Sequence, residues 1–256
     1  MTLWVRYALG THQGYGTLEG DTIAEHTGTP FGAHAPTGGR VPLSEVCLMA
    51  PVTPRNFIGL WNNFHEAAAK QGNPIPTEPL YFLKSTASII GPEAAIQPPP
   101  GHTGRVIYEG ELGIVLGRDC KAVSEAEAEA AILGYTCVND VTALELFGDD
   151  AKFPQWARAK SCDTFGPIGP AIATGLDWSS LRITVSLNGR ERQNYPASDM
   201  IIPPARIVSL ISREMTLHAG DVIACGTSVG ALPMRPGMVV AVTIEGIGTL
   251  TNTYAP

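Results

Sequence analysis

Glu109 and Glu111 stand two residues apart in Val106-Ile-Tyr-Glu-Gly-Glu-Leu-Gly-Ile-Val-Leu116, a run that otherwise reads as a buried β-strand. A strand repeats every two residues, so both carboxylates project from one face. Val106, Tyr108, Gly110, Leu112, Ile114 and Leu116 fall on the other face and read as core, while Ile107, Gly113 and Val115 accompany the acids. Two like charges on a mostly apolar strand are unfavourable unless something neutralises them, and a divalent cation does so.

Two further groups follow downstream. Asp140 ends an apolar strand in Tyr135-Thr-Cys-Val-Asn-Asp-Val-Thr142, and Lys160 lies in Ala159-Lys-Ser-Cys-Asp-Thr-Phe-Gly-Pro167. Three carboxylates form an oxygen-only set suited to Mg²⁺ or Mn²⁺. Paired His or Cys ligands for zinc are missing. Taken alone, an E-x-E pair also fits exposed strand charges, and Asp140 alone fits a turn or a cap. His12, His26, His34, His102 and His218 are isolated in loops or polar turns. Cys162 and Cys225 lack the adjacent base that marks a nucleophile.

The elements that must position these groups are mostly short strands. Residues 1–53, rich in Gly, Thr and His with strand-like pieces such as Leu3–Tyr7, read as a small β-rich N-terminal subdomain ending at Ala50-Pro-Val-Thr-Pro54. Residues 54–256 then form the main domain. Asn56–Leu60 and Leu80–Leu83 read as strands, and Asn63–Gln71 as a short helix closed by Gly72. Ser124-Glu-Ala-Glu127 is a capping box that predicts a helix through Leu133, stopped by Gly134, with Tyr135–Val138 a short strand beyond it. Leu181–Leu187 before Asn188-Gly189 predicts a hairpin, Ala205–Ser212 a helix, and Val222–Cys225, Met238–Ile244 and Gly248–Asn252 the last strands. Many short strands with few helices predict a mixed α+β, predominantly β fold. Neither GxGxxG nor GxxxxGK[ST] occurs, so nucleotide cofactors have little support.

A chain of 256 residues suits one large domain with a small appendage. The net charge of −7, without a basic block, argues against nucleic acid and anionic membrane surfaces as partners. Five cysteines without CxxC or CxxH spacing read as free thiols, and no stretch reaches the ~18 apolar residues of a membrane span. The expected location is the cytoplasm.

The chain resembles the fumarylacetoacetate hydrolase superfamily, in particular its acylpyruvate hydrolase and 2-hydroxyhepta-2,4-diene-1,7-dioate isomerase branch. The resemblance spans roughly Pro51 to Asn252 and rests on ordered motifs: Tyr-Glu-Gly-Glu-Leu (108–112), Gly-Tyr-Thr-Cys-Val-Asn-Asp-Val-Thr (134–142), Lys-Ser-Cys-Asp-Thr-Phe-Gly-Pro-Ile-Gly-Pro (160–170), Leu-Asn-Gly with Arg-Gln (187–193), Ser-Asp-Met-Ile (198–201), Gly-Asp-Val-Ile-Ala-Cys-Gly-Thr (220–227) and Gly-Ile-Gly-Thr-Leu-Thr-Asn (246–252). It implies a β-roll core with flanking short helices, a homodimer, and a divalent metal at the mouth of the roll.

By the same resemblance the metal carboxylates fall on Glu109, Glu111 and Asp140, and the active-site lysine on Lys160. A substrate-carboxylate site falls on Gly226 and Thr227. Lys84 matches a substrate-facing position, with snorkelling over the rim as the other reading. The catalytic histidine of a lid helix falls on His65, but its partner acid is replaced by Ala68. Glu66 lies on another helix face. Leu144 and Phe147 stand near the places of a usual arginine and glutamine.

The implied activity is that of a divalent-metal-dependent hydrolase. It would cleave a C–C bond in a small acylpyruvate-like 2-oxo acid bearing one or two carboxylates, with the leaving group held as an enolate by the metal. Decarboxylation or isomerisation at the same site, and a non-catalytic metal-dependent ligand sensor, are the alternatives.

Overall fold

The computed structural model describes residues 1–255. Thr2–Leu9, His12–Glu19, Thr22–Gly28 and His34–Pro42 form an antiparallel meander. Its first strand pairs with Gly166–Thr174, so residues 1–53 extend a sheet that the rest of the chain continues. Beyond Gly166–Thr174 the sheet runs through Ile132–Asn139, Gly110–Leu116 and Val222–Ala224, all antiparallel. Val222–Ala224 then pairs in parallel with Phe57–Trp61, which pairs with Leu80–Lys84 at the edge.

A second antiparallel sheet contains Arg190–Pro196, Arg182–Leu187, Val239–Ile244 and Gly248–Thr253. Period-two alternation sorts the central strand between two cores. Leu112, Ile114 and Leu116 pack with Ile183, Val185, Val242 and Ile244 from the second sheet. Val115, on the Glu111 face, packs with Val138, Ile168, Ile172 and Phe57 instead. The two sheets press together at Gly110, where an added Cβ would lie 2.2 Å from Val185 Cγ2. Glycine between the two glutamates is therefore a packing requirement of the reverse face.

The hairpin at Asn188-Gly189 and the last strands form as expected. So does the helix His65–Gln71 ending at Gly72, while the helix near 205 is longer, Pro204–Glu214.

Two expectations fail locally. The Ser124 capping box is present, but its helix covers only Glu125–Glu129. Ile132 and Leu133 begin the eight-residue strand Ile132–Asn139, and Gly134 lies inside it. A Cβ at Gly134 would come within 2.2 Å of the Ala173 carbonyl, so this glycine admits a close neighbouring strand and does not stop a helix. The run Val106–Leu116 is also not one strand. Val106–Ile107 and Gly110–Leu116 are separate, with Tyr108 and Glu109 between them.

Candidate functional site

The interruption at Tyr108-Glu109 positions the first carboxylate. Asn139 Oδ1 accepts the Glu109 N–H at 3.0 Å, and the Asp140 N–H donates to the Glu109 carbonyl at 2.8 Å. The Asn-Asp pair at the end of Ile132–Asn139 thus ties Glu109 beside Asp140, while Glu111 stays on the continuous part of the strand. One carboxylate oxygen from each of Glu109, Glu111 and Asp140 lies within 4.8 Å of the others.

Two buried lysines meet this triad. Lys160, the last residue of the helix Trp156–Lys160, donates to Glu109 Oε2 at 2.5 Å and to Asp140 Oδ2 at 2.6 Å. Lys84 ends the edge strand and donates to Asp140 Oδ1 at 2.5 Å and to the Lys160 carbonyl. It is enclosed, with no snorkelling over a rim, because its ammonium is needed behind Asp140. The structure therefore brings Glu109, Glu111, Asp140, Lys84 and Lys160 into one cluster.

Burial opposes ionisation of Asp140, but Lys160 and Lys84 outweigh it and hold this carboxyl below its ordinary value. Burial also raises Glu109, with Lys160 pulling the other way. Glu111 is pushed well above the ordinary carboxylate value by burial and by the charges of Asp140 and Glu109. Burial lowers Lys84. For Lys160 it acts in the same direction, but Asp140, Glu109 and Glu111 more than offset it and the ammonium is strengthened.

Three carboxylates outnumber the two ammoniums, and Glu111 is the one without a lysine hydrogen bond to offset its burial, which is why its charged form is disfavoured. Glu111 Oε2 accepts the Gly226 N–H at 2.7 Å, whereas Glu111 Oε1 is buried with no hydrogen-bond partner among the described residues. An orphaned buried carboxylate oxygen within an oxygen-only triad fits a hard divalent cation.

The Gly226 N–H is thus committed to Glu111. Thr227 Oγ1 donates to the Gly110 carbonyl at 2.9 Å and accepts from Gln193 Nε2 at 2.9 Å. Gln193 in turn accepts the Gly110 N–H through Oε1 at 3.1 Å. Buried Gln193 and Asn139 hold the backbone around both glutamates, although their sequence motifs alone assign them no role.

Above the cluster opens a cavity of about 180 Å³. This suits a small acid and falls below the ~300–1,000 Å³ typical of larger ligands. Glu109 and Lys160 form its base, and Thr142 and Thr227 contribute hydroxyl-bearing walls. Ala67 and Gln71, one helical turn apart, supply a wall from the helix His65–Gln71. His65 is exposed and absent from the lining. At about 100° per residue it lies about 200° around the helix from Ala67, off the pocket face. Ala68 is fully buried, so position 68 supplies no acid to orient the imidazole. No helix among the described residues is long and apolar enough to cross a membrane.

Residues 56–255 match the family described as fumarylacetoacetate (FAA) hydrolase C-terminal, and residues 3–51 match the one described as Rv2993c-like, N-terminal. A protein of Archaeoglobus fulgidus is 45% identical over 84% of this chain and 85% of its own length. The crystal structure of a 5-carboxymethyl-2-hydroxymuconate delta-isomerase from Mycobacterium smegmatis is 40% identical, covers 100% of this chain and 99% of that one, and superposes with a TM-score of 0.91. A fumarylacetoacetate hydrolase from Exiguobacterium antarcticum is 29% identical with the same coverage and a TM-score of 0.89.

Proposed function

The chain belongs to the fumarylacetoacetate hydrolase family, and on that premise we propose that it hydrolyses a C–C bond in a small acylpyruvate-like 2-oxo acid. The observation that carries this reading is the buried triad of Glu109, Glu111 and Asp140 with Lys160 at the base of a small cavity. Glu109, Glu111 and Asp140 would hold Mg²⁺ or Mn²⁺, whose charge when bound polarises the 2-oxo group of the substrate.

The chain's own contribution is an electron sink and a shielded pocket. In the reaction, water adds to the acyl carbon C4 and the C3–C4 bond breaks. Its electron pair passes to the 2-oxo oxygen, so that the products are a carboxylic acid and the enolate of pyruvate, which takes up a proton at C3. The Lys160 ammonium stands where that oxygen gains negative charge and stabilises it. Its salt bridges to Glu109 and Asp140 keep it protonated throughout. Activation of the water falls to His65, delivered by movement of its short helix. A homodimer in the cytoplasm belongs to the same proposal.

The outward-facing His65 favours a second reading, isomerisation of a 2-hydroxy-dienoic acid, which needs the same electron sink but no activated water. It also agrees with the name of the Mycobacterium smegmatis relative. Mass-spectrometric analysis of acylpyruvates and hydroxy-dienoic acids incubated with the protein and Mg²⁺ or Mn²⁺ separates the readings. Pyruvate plus a carboxylic acid is the expected outcome. Isomer without cleavage would transfer the assignment to the second reading. Tight binding with no product from either class would overturn both.

A further inference from the structure

Around the proposed site, charge is confined to one end. Among the described residues, Glu109 and Lys160 are the only ionisable side chains lining the cavity, and they are paired with each other at its base. Away from that base the wall is mostly apolar, from Leu60, Trp61, Phe82, Leu144, Phe147 and Trp156, with Asn62 and Gln71 as uncharged polar members beside Ala67.

The aromatic members hold one another in place. The Trp156 ring stacks on Phe82, with centroids 5.1 Å apart and planes at 21°. It meets Phe147 edge-on at 4.3 Å and Trp61 at 6.1 Å. The wall reaches down to the reacting end, where Lys160 Nζ lies 5.4 Å from the Phe82 ring centre. A group projecting upward from the lysine therefore meets rings immediately.

Among the described residues the cavity lining offers such a group no cation beyond Lys160. Arg105 is bound to Glu145 at 2.6 Å and Arg158 to Asp149 at 2.9 Å, and neither lines the cavity. The segment Leu144-Glu-Leu-Phe-Gly-Asp-Asp150, which supplies Leu144 and Phe147 to the wall, adds no cation of its own, and its Glu145 and Asp149 are the partners of those two arginines. A carboxylate at the far end of the substrate would lose water and find no cation in the lining to replace it.

The geometry points to a substrate with a single carboxylate and an uncharged apolar tail: a pyruvate acylated by an aromatic or branched-alkyl group, and not a dicarboxylate. The inference rests on the C–C hydrolysis reading and sharpens it. A neutral tail has no carboxylate to release as CO₂, so decarboxylation at C4 is closed to such a substrate.

The test is a matched pair assayed with the wild-type protein and Mn²⁺: benzoylpyruvate and the same acid with a carboxylate on the ring para to the acyl group. The expected result is a kcat/KM at least about tenfold higher for benzoylpyruvate. Binding of benzoylpyruvate should also perturb tryptophan fluorescence, and Trp156→Phe should remove most of that change. In Leu144→Arg the preference should narrow or reverse. Equal or faster turnover of the ring carboxylate by the wild-type protein overturns the inference while leaving C–C hydrolysis intact. Absence of pyruvate from both acids overturns the hydrolysis reading, and the inference falls with it.

Discussion

The Lys84 ammonium lies 2.5 Å from Asp140 Oδ1, on a side chain closed off from solvent and outside the cavity lining. Lys84 is thus a support for the carboxylate, while Lys160, bound to the opposite oxygen of Asp140, is the lysine that meets the pocket. Asp140 is held from both sides at a fixed place between strand and cavity.

Lys84→Met should therefore act mainly on stability. Breaking a buried pair leaves an under-compensated charge, with a loss on the order of 3 kcal/mol. Urea denaturation of the metal-free protein measures this through the midpoint and slope. An unchanged midpoint would mean that Lys84 does not support Asp140.

Glu111 gives a prediction with a defined sign. Its folded-state pKa is raised above the ordinary 4.5, so the native protein holds this proton more tightly than the unfolded chain. The associated stability is complete below about pH 4.5 and is lost as pH rises through the raised native value. Glu111→Gln has no proton to lose and retains the Gly226 contact through its amide oxygen. Without metal, the variant should melt above the wild type, by a margin that widens as pH rises above about 4.5 and levels off beyond the raised native value. With Mg²⁺ or Mn²⁺ the order should reverse, because only the wild type gains from binding. A variant stabilised by the metal as strongly as the wild type would remove Glu111 from the ligand set.

His65→Ala separates water activation from a surface role. The side chain is exposed, so the unfolding free energy should stay within about 0.5 kcal/mol of the wild type. Hydrolysis should fall by about 10²–10⁴-fold, while any isomerisation should persist. Full hydrolysis in the variant would end the role assigned to His65.

How much of this was legible in the sequence depends on how local each interaction is. The alternation around Glu109 and Glu111 encodes two faces directly, and the two cores separate as that alternation requires. The break at Tyr108-Glu109 was not legible, because it is made by Asn139 and Asp140, some thirty residues downstream. The same holds for Lys84 and Asp140, which are 56 residues apart. A glycine after a capping box resembles a helix stop, and only the neighbouring strand shows that Gly134 instead makes room for the backbone of Ala173. The aromatic wall draws on four segments, each of which looks alone like ordinary core or loop.

The most direct test of the central claim is pyruvate release from a neutral-tailed acylpyruvate by protein stripped of divalent cations and then restored with Mg²⁺ or Mn²⁺. Wild type and Lys160→Met are to be compared. The account predicts release only after restoration, and a loss in kcat of about 10²–10³ in the variant, the scale expected when one donor to a developing oxyanion is removed. Release by the stripped protein at the restored rate, or an undiminished rate in Lys160→Met, would contradict it.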